Sequence, residues 1–188
     1  MKIGVFAGSF NPIHNAHIDI ANLLTQNKIV DRIIFVPAGE KYEKPNLAPA
    51  KCRLDMVCLA TAQNPNFSVC DIEIKNKKLF TYQTLDYIKL ENPYAEICFI
   101  MGADNLKEFY WWKNNQYILE NYKLIVLARN GQKLEDFPEY LNKNIEFVEF
   151  FDDLSSTFIR QNISNKKIIK KYLNNNVFEY IIKNNLYI

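Results

Sequence analysis

At 188 residues the chain can bury a sizeable core without disulfide or metal staples, and a single domain spanning residues 1–188 is expected. A formal net charge of +2 argues against a general nucleic-acid footprint, and no apolar run approaches the length of a membrane span. Cys52, Cys58, Cys70 and Cys98 sit singly in apolar segments without C-x-x-C spacing, so no zinc site or dithiol motif is indicated and reduced, buried thiols are expected. No charged-then-apolar leader precedes the first strand-like run, which makes the cytoplasm the expected compartment.

The first strand-like run, Lys2 to Ala7, leads into Gly8-Ser9-Phe10-Asn11-Pro12-Ile13-His14-Asn15-Ala16-His17 and an amphipathic segment reaching Asn27. Further short runs rich in Ile, Val and Phe follow at Arg32 to Pro37, Phe67 to Ile72, Glu96 to Met101, Lys123 to Ala128 and Ile145 to Phe150. Between them, Ala50 to Gln63, Thr81 to Leu90 and Trp111 to Leu119 carry apolar residues at three- and four-residue spacing, the mark of helices. From about residue 155 the pattern changes. Ser155 to Arg160, Ile168 to Asn174 and Val177 to Lys183 read as short helices separated by Asn-rich punctuation, an appendage on the same core. The alternation predicts an α/β fold: a Rossmann-like, doubly wound, mostly parallel sheet of five to six strands with helices on both faces and a short helical C-terminal segment. Lys166, Lys167, Lys170 and Lys171, the densest basic run, read as a solvated helix face.

Open sheets of this kind bind ligands beyond the carboxyl ends of their strands, where the winding direction reverses. His14 and His17, the two histidines of the chain, fall there at helical spacing on a strand-to-helix corner, where free N–H groups and the positive dipole end attract anions. Two polar residues on an exposed first turn would show the same spacing, but Gly8 allows close backbone approach and Pro12 stiffens the entry, so phosphate ligation is the preferred reading. Strand four ends in Gly102-Ala103-Asp104, a second polar turn that shares the crevice if strands one and four are neighbours. Ser155-Ser156-Thr157 offers hydroxyls at a helix start, with Arg160 in the following turn; beyond simple capping, the group could hold a triphosphate tail. Trp111 and Trp112 follow the Gly-Ala-Asp turn, and an aromatic face suits a planar ring; Trp112 is expected to face a ligand and Trp111 to pack.

Gly8 to His17 resembles the nucleotidyltransferase signature G-x-F-x-P-x-H-x-G-H, with Ala16 in place of its second glycine, and Ser155 to Arg160 resembles the partner motif S-S-T-x-[IV]-R. Val36-Pro37-Ala38, Arg53 to Met56, Thr81 to Leu85, and Ile100 to Asp104 followed by Trp112 extend the likeness nearly end to end. The chain thus resembles the bacterial nicotinate-nucleotide adenylyltransferases, enzymes of pyridine nucleotide (NAD) biosynthesis. The resemblance implies adenylyl transfer from ATP to nicotinate mononucleotide, with Mg²⁺ held mainly by phosphates and water rather than by protein ligands.

It implies that His14, His17 and Arg160 are catalytic, and that Gly8, Ser9, Phe10, His14, His17, Gly102, Asp104, Ser155, Ser156, Thr157 and Arg160 bind ATP. On the acceptor side it implies Lys44, Thr81, Asp104, Trp112 and Lys113. Where the family shows P-P-H-K and G-P-S-Y, this chain has Lys41-Tyr42-Glu43-Lys44 and Lys77-Lys78-Leu79-Phe80. Alternatives left open are another acceptor, nicotinamide mononucleotide or phosphopantetheine, and a non-catalytic nucleotide-binding domain. No nucleic-acid polymer or membrane is expected as a partner, and the sequence leaves self-association open.

Overall fold

A computed structural model describes residues 1–40, 46–76, 79–128, 133–137, 140, 143–150 and 154–187. Its centre is a six-stranded sheet of β1 (Lys2–Gly8), β2 (Arg32–Pro37), β3 (Phe67–Val69), β4 (Glu96–Gly102), β5 (Lys123–Ala128) and β6 (Ile145–Glu149). The spatial order is β3-β2-β1-β4-β5-β6, and every pairing is parallel. The winding direction reverses between β1 and β4, which lie side by side with Phe6 opposite Ile100.

Both faces of the sheet are covered, which is why the strands read as continuous apolar runs rather than as an apolar and polar alternation. Successive side chains point to opposite faces. Phe6, Ile33, Phe35, Cys98, Ile100, Ile125 and Leu127 therefore feed one core cluster, while Ile3, Val5, Val36, Ile97, Phe99, Met101, Leu124 and Val126 feed the other. The first cluster is closed by α1 (Asn15–Gln26), through Ile20, Ala21 and Leu24, and by α2 (Ala50–Thr61), through Met56 and Val57. The second is closed by α4 (Thr81–Glu91), α5 (Ala103–Glu108) and α6 (Asn115–Asn121).

The helical end is more than an appendage. Ile159 on α7 (Ser156–Gln161), Ile169 on α8 (Lys166–Ile169), and Val177, Phe178 and Ile181 on α9 (Asn175–Lys183) are buried in the first cluster. Tyr180 Oη also donates to Asp55 Oδ2 of α2 at 3.0 Å. The basic run is solvated as expected, with Lys166, Lys167, Lys170 and Lys171 exposed.

Some expected boundaries move for local reasons. The run Phe67 to Ile72 is strand only to Val69, because Asp71 opens α3 (Ile72–Lys75). Trp111 to Leu119 is not one helix: a 3₁₀ turn over Phe109–Trp111 ends in extended backbone at Trp112, and Asn114 takes φ 55 before α6 begins. Ile168 to Asn174 is shifted toward the N-terminus, since the Asn165 side chain caps α8 and a 3₁₀ turn over Lys170–Tyr172 follows it. Of the four cysteines only Cys98 is buried; Cys52 and Cys70 are half-buried and Cys58 is exposed, because it falls on the outward side of α2; all are free thiols. Among the described residues, no helix is long and apolar enough to cross a membrane.

One glycine is a packing requirement. A Cβ at Gly39, just beyond β2, would lie 2.2 Å from the Glu73 carbonyl oxygen, backbone against backbone, so α3 can approach β2 only because that side chain is absent. Gly39→Ala should therefore cost about 1–3 kcal/mol and lower the thermal midpoint by about 2–4 °C for each of them. A melting curve unchanged from wild type would contradict the contact.

Candidate active site

At the carboxyl end of β1 the chain turns through Ser9, Phe10 at φ 43, and a cis Asn11-Pro12 bond before α1 begins. Phe10 is buried and packs on Phe6, Phe35 and His17, which fixes the floor of the loop. Gly8 serves the same packing, because its position faces the Phe10 ring at ordinary contact distance. His14 is the N-cap residue of α1, and its ring centroid lies 3.8 Å from that of His17, so the two imidazoles form one tilted stack at the helix N-terminus.

One contact of the pair fixes a tautomer. His17 Nδ1 accepts from the His14 backbone N–H at 3.2 Å, which places the proton of a neutral His17 ring on Nε2, as a donor pointing away from the helix backbone. His14 is 4% exposed, whereas His17 is half-buried and keeps an open edge. Together with the positive end of the α1 dipole this makes an anion-attracting corner at the point where the sheet reverses.

The guanidinium comes from 149 residues away. Arg160 Nη1 donates to the Asn11 carbonyl at 2.9 Å, and Nη2 donates to Thr157 Oγ1 at 3.1 Å. Ser156 Oγ donates to the Pro12 carbonyl at 2.9 Å, so α7 is bolted directly onto the histidine loop. Ser155 has the capping role: its Oγ accepts from Phe158 N–H at 3.1 Å. The cationic side chain and the paired imidazoles therefore share one loop.

Across the crevice, β4 ends at Gly102, where a Cβ would meet no atom within 4 Å, so the floor is open there. Asp104 lies exposed in the first turn of α5. Thr81 opens α4, whose first N–H groups have no partner within the helix. Trp112 is half-buried, with its ring against Phe99 at 6.0 Å and Phe109 at 5.3 Å, at the margin of the second core cluster. Trp111, expected to pack, is instead 82% exposed; the 3₁₀ turn rotates it outward and sends its neighbour toward the core. Lys113 is exposed beside it, and Lys44 lies outside the described residues.

The residue that sequence reasoning undervalued is Arg53. It lies on α2, fully buried, and donates to three backbone carbonyls: Ser9 at 2.8 Å, Ala48 at 3.0 Å and Gly39 at 3.4 Å. Burial pulls its pKa down, partly offset by the charge of Glu40, with smaller contributions from Tyr187 and Glu73; an arginine starts so high that it stays charged. Glu73, half-buried, is pushed up by desolvation and held back by the Thr84 hydroxyl, which donates to it at 2.8 Å. Periodicity carried the signal, since Arg53 shares the buried face of α2 with Ala50, Met56 and Val57.

A family model described as cytidylyltransferase-like matches residues 5–171. A protein of Clostridium acetobutylicum named "Probable nicotinate-nucleotide adenylyltransferase" is 38% identical, with 100% of this chain and 99% of that protein covered. One of Flavobacterium psychrophilum with the same name is 36% identical at the same coverage. The fold is also that of Plasmodium falciparum nicotinic acid mononucleotide adenylyltransferase complexed with NaAD, at a TM-score of 0.82 and 22% identity, covering 99% of this chain and 97% of the other.

Arg53→Met should keep the volume but strand three carbonyls. The loss is expected to be about 3 kcal/mol or more in a denaturant titration, from hydrogen bonds to a charged group at about 1.5–3 kcal/mol each. A midpoint within error of wild type would show that water replaces the guanidinium without cost.

Proposed function

We propose, from the premise that the chain belongs to the cytidylyltransferase-like family and, within it, to the nicotinate-nucleotide adenylyltransferases, a division of labour among its residues in the reaction that membership assigns. The reaction is adenylyl transfer from ATP to nicotinate mononucleotide, giving nicotinate adenine dinucleotide and pyrophosphate. One observation carries the reading of the site: paired imidazoles at a helix N-terminus within one hydrogen-bonded loop of a guanidinium.

A 5′-phosphate oxygen of the acceptor attacks the α-phosphorus of ATP in line. The bond from that oxygen to phosphorus forms as the α-to-β bridging bond breaks, and its electron pair leaves on pyrophosphate. The nucleophile is already an anion near neutral pH, so no general base is required. Two anions must be held together and the charge growing on the leaving group stabilised, which is positioning and electrostatics.

His17 Nε2 and His14 would donate to α- and β-phosphate oxygens. The loop at Gly8, Ser9 and Phe10 would line the nucleotide. The N-terminal turn of α7, with Ser155, Ser156, Thr157 and Arg160, would hold the β- and γ-phosphates. Gly102 and Asp104 would border the nucleotide from the β4 side. Trp112, Thr81 and Lys113 would receive the pyridine ring and its carboxylate, and Asp104 and Lys44 are assigned to the acceptor in the same scheme. The half-buried Trp112 ring beside Phe99 supports a stacking role.

Mg²⁺ belongs to the proposal as a phosphate-borne cation that neutralises oxygen charge. The chain's own part in this scheme would be to donate to the phosphates that carry it. We place the reaction in the cytoplasm.

His17→Ala should lower turnover on the order of 10²–10³, the range for loss of one transition-state donor, in a protein that still folds; wild-type pyrophosphate release would defeat the assignment. Trp112→Ala should raise KM for nicotinate mononucleotide more than KM for ATP, and equal changes would mean that the ring only packs. Excess chelator should abolish pyrophosphate release and added Mg²⁺ restore it. Parallel assays with nicotinamide mononucleotide and phosphopantetheine test the acceptor, and ATP binding without turnover on any of the three would leave a binding domain.

A further inference from the structure

Beyond α9 the chain folds back on itself. Leu186 N–H donates to the Ile181 carbonyl at 3.1 Å, and Asn185 and Tyr187 take φ of 49 and 67. The left-handed region is ordinary for asparagine and uncommon for tyrosine, so surrounding contacts must hold Tyr187 there. Those contacts lead into the active-site loop.

Asn11 is 2% exposed, and each polar group of its side chain is engaged. Its Oδ1 accepts from Ala48 N–H at 3.0 Å and from Tyr187 Oη at 2.8 Å, while its Nδ2 donates to the Asn46 carbonyl at 2.8 Å. The backbone carbonyl of the same residue is the one that receives Arg160. Burial pushes the Tyr187 phenol up, against the opposing pull of the Arg53 and Arg160 guanidiniums, so it remains a protonated donor at neutral pH.

The same tyrosine borders a cavity of about 600 Å³ lined also by Asn46, Pro49, Thr157, Arg160 and Gln161. Among the described residues no acidic side chain lines it, and its charged group is the guanidinium. That chemistry fits a polyanion.

We propose that this last turn is part of the nucleotide site: Tyr187 is a positioning residue that anchors Asn11, and through it the carbonyl on which Arg160 rests, and it walls the far end of the cavity that takes the terminal phosphates of a nucleoside triphosphate. The proposal rests on the adenylyl-transfer reading for its substrate. It gives the tail a role in nucleotide affinity rather than only in the core.

The test is Tyr187→Phe in the full chain, which keeps the ring and removes one oxygen. KM for ATP should rise about three- to tenfold, the range for one hydrogen bond, with kcat and KM for nicotinate mononucleotide near wild type and a melting point lowered by about 2–4 °C. An unchanged KM for ATP, or equal rises for both substrates, would overturn it. In the wild-type protein, the amides of residues 184–187 should exchange hydrogen more slowly with α,β-methylene-ATP bound, and not with nicotinate mononucleotide; no slowing with the analogue would overturn the proposal even if the variant failed to fold. Should the wild type release no pyrophosphate with any acceptor, the catalytic reading fails, while slowed exchange would still assign the tail to the nucleotide site.

Discussion

The site depends on one buried cation whose donors all reach carbonyls of the protein itself. Arg53 ties the loop after β1, the turn after β2 and the entry to α2 to a single planar fork. Two of those segments leave their strands and the third leads into a helix, and their carbonyls, lacking strand partners, would otherwise be open to competition from water. A guanidinium with five donors in fixed geometry can hold several carbonyls at once, and a lysine at the same place could not reproduce the fork. Gly39 serves the same junction from outside, since its missing side chain lets α3 press against β2 and bring Glu73 to Thr84 near the start of α4.

Above that brace, the histidine loop is clamped a second time from the far end of the chain. The hydrogen bonds of Ser156 to Pro12 and Arg160 to Asn11 close a separation of almost 150 residues with two neighbouring carbonyls. Closing so long a loop costs chain entropy relative to the unfolded state, a cost that grows only slowly with length. The cost is met by Ile159, Ile169, Val177, Phe178 and Ile181, which bury against the same face of the sheet as α1 and α2. Burial of the helical end and assembly of the cationic corner are thus one event. In the proposed scheme a phosphate ligand would meet imidazole and guanidinium donors that are already oriented, which is the condition for electrostatic stabilisation without reorganisation.

Much of this was legible in the residues themselves. Continuous apolar runs alternating with amphipathic segments required a parallel sheet covered on both faces, because βαβ crossovers lay helices on each side. The histidine spacing and the hydroxyl-rich start of α7 were equally visible, since capping and helical spacing are local rules that act within a few residues. Legibility ended where the phase of a short turn mattered. Which of the adjacent Trp111 and Trp112 turns inward depends on the 3₁₀ turn at Phe109–Trp111 and on Asn114 at φ 55, and no periodicity survives over three residues. The exposure of Cys58 against the burial of Arg53 is a similar case, with helix phase overriding the ordinary preference of each residue type.

By itself, then, the sequence determined the architecture, the family and the residues of the histidine corner, because each is written in short-range patterns. The tertiary structure alone decided that Arg53 is a hub, that Asn11 joins three parts of the chain and that Tyr187 reaches the histidine loop across 176 residues. Those relations are between segments distant in sequence, and they are fixed by which buried carbonyls and amides still need partners once the sheet and its helices have packed.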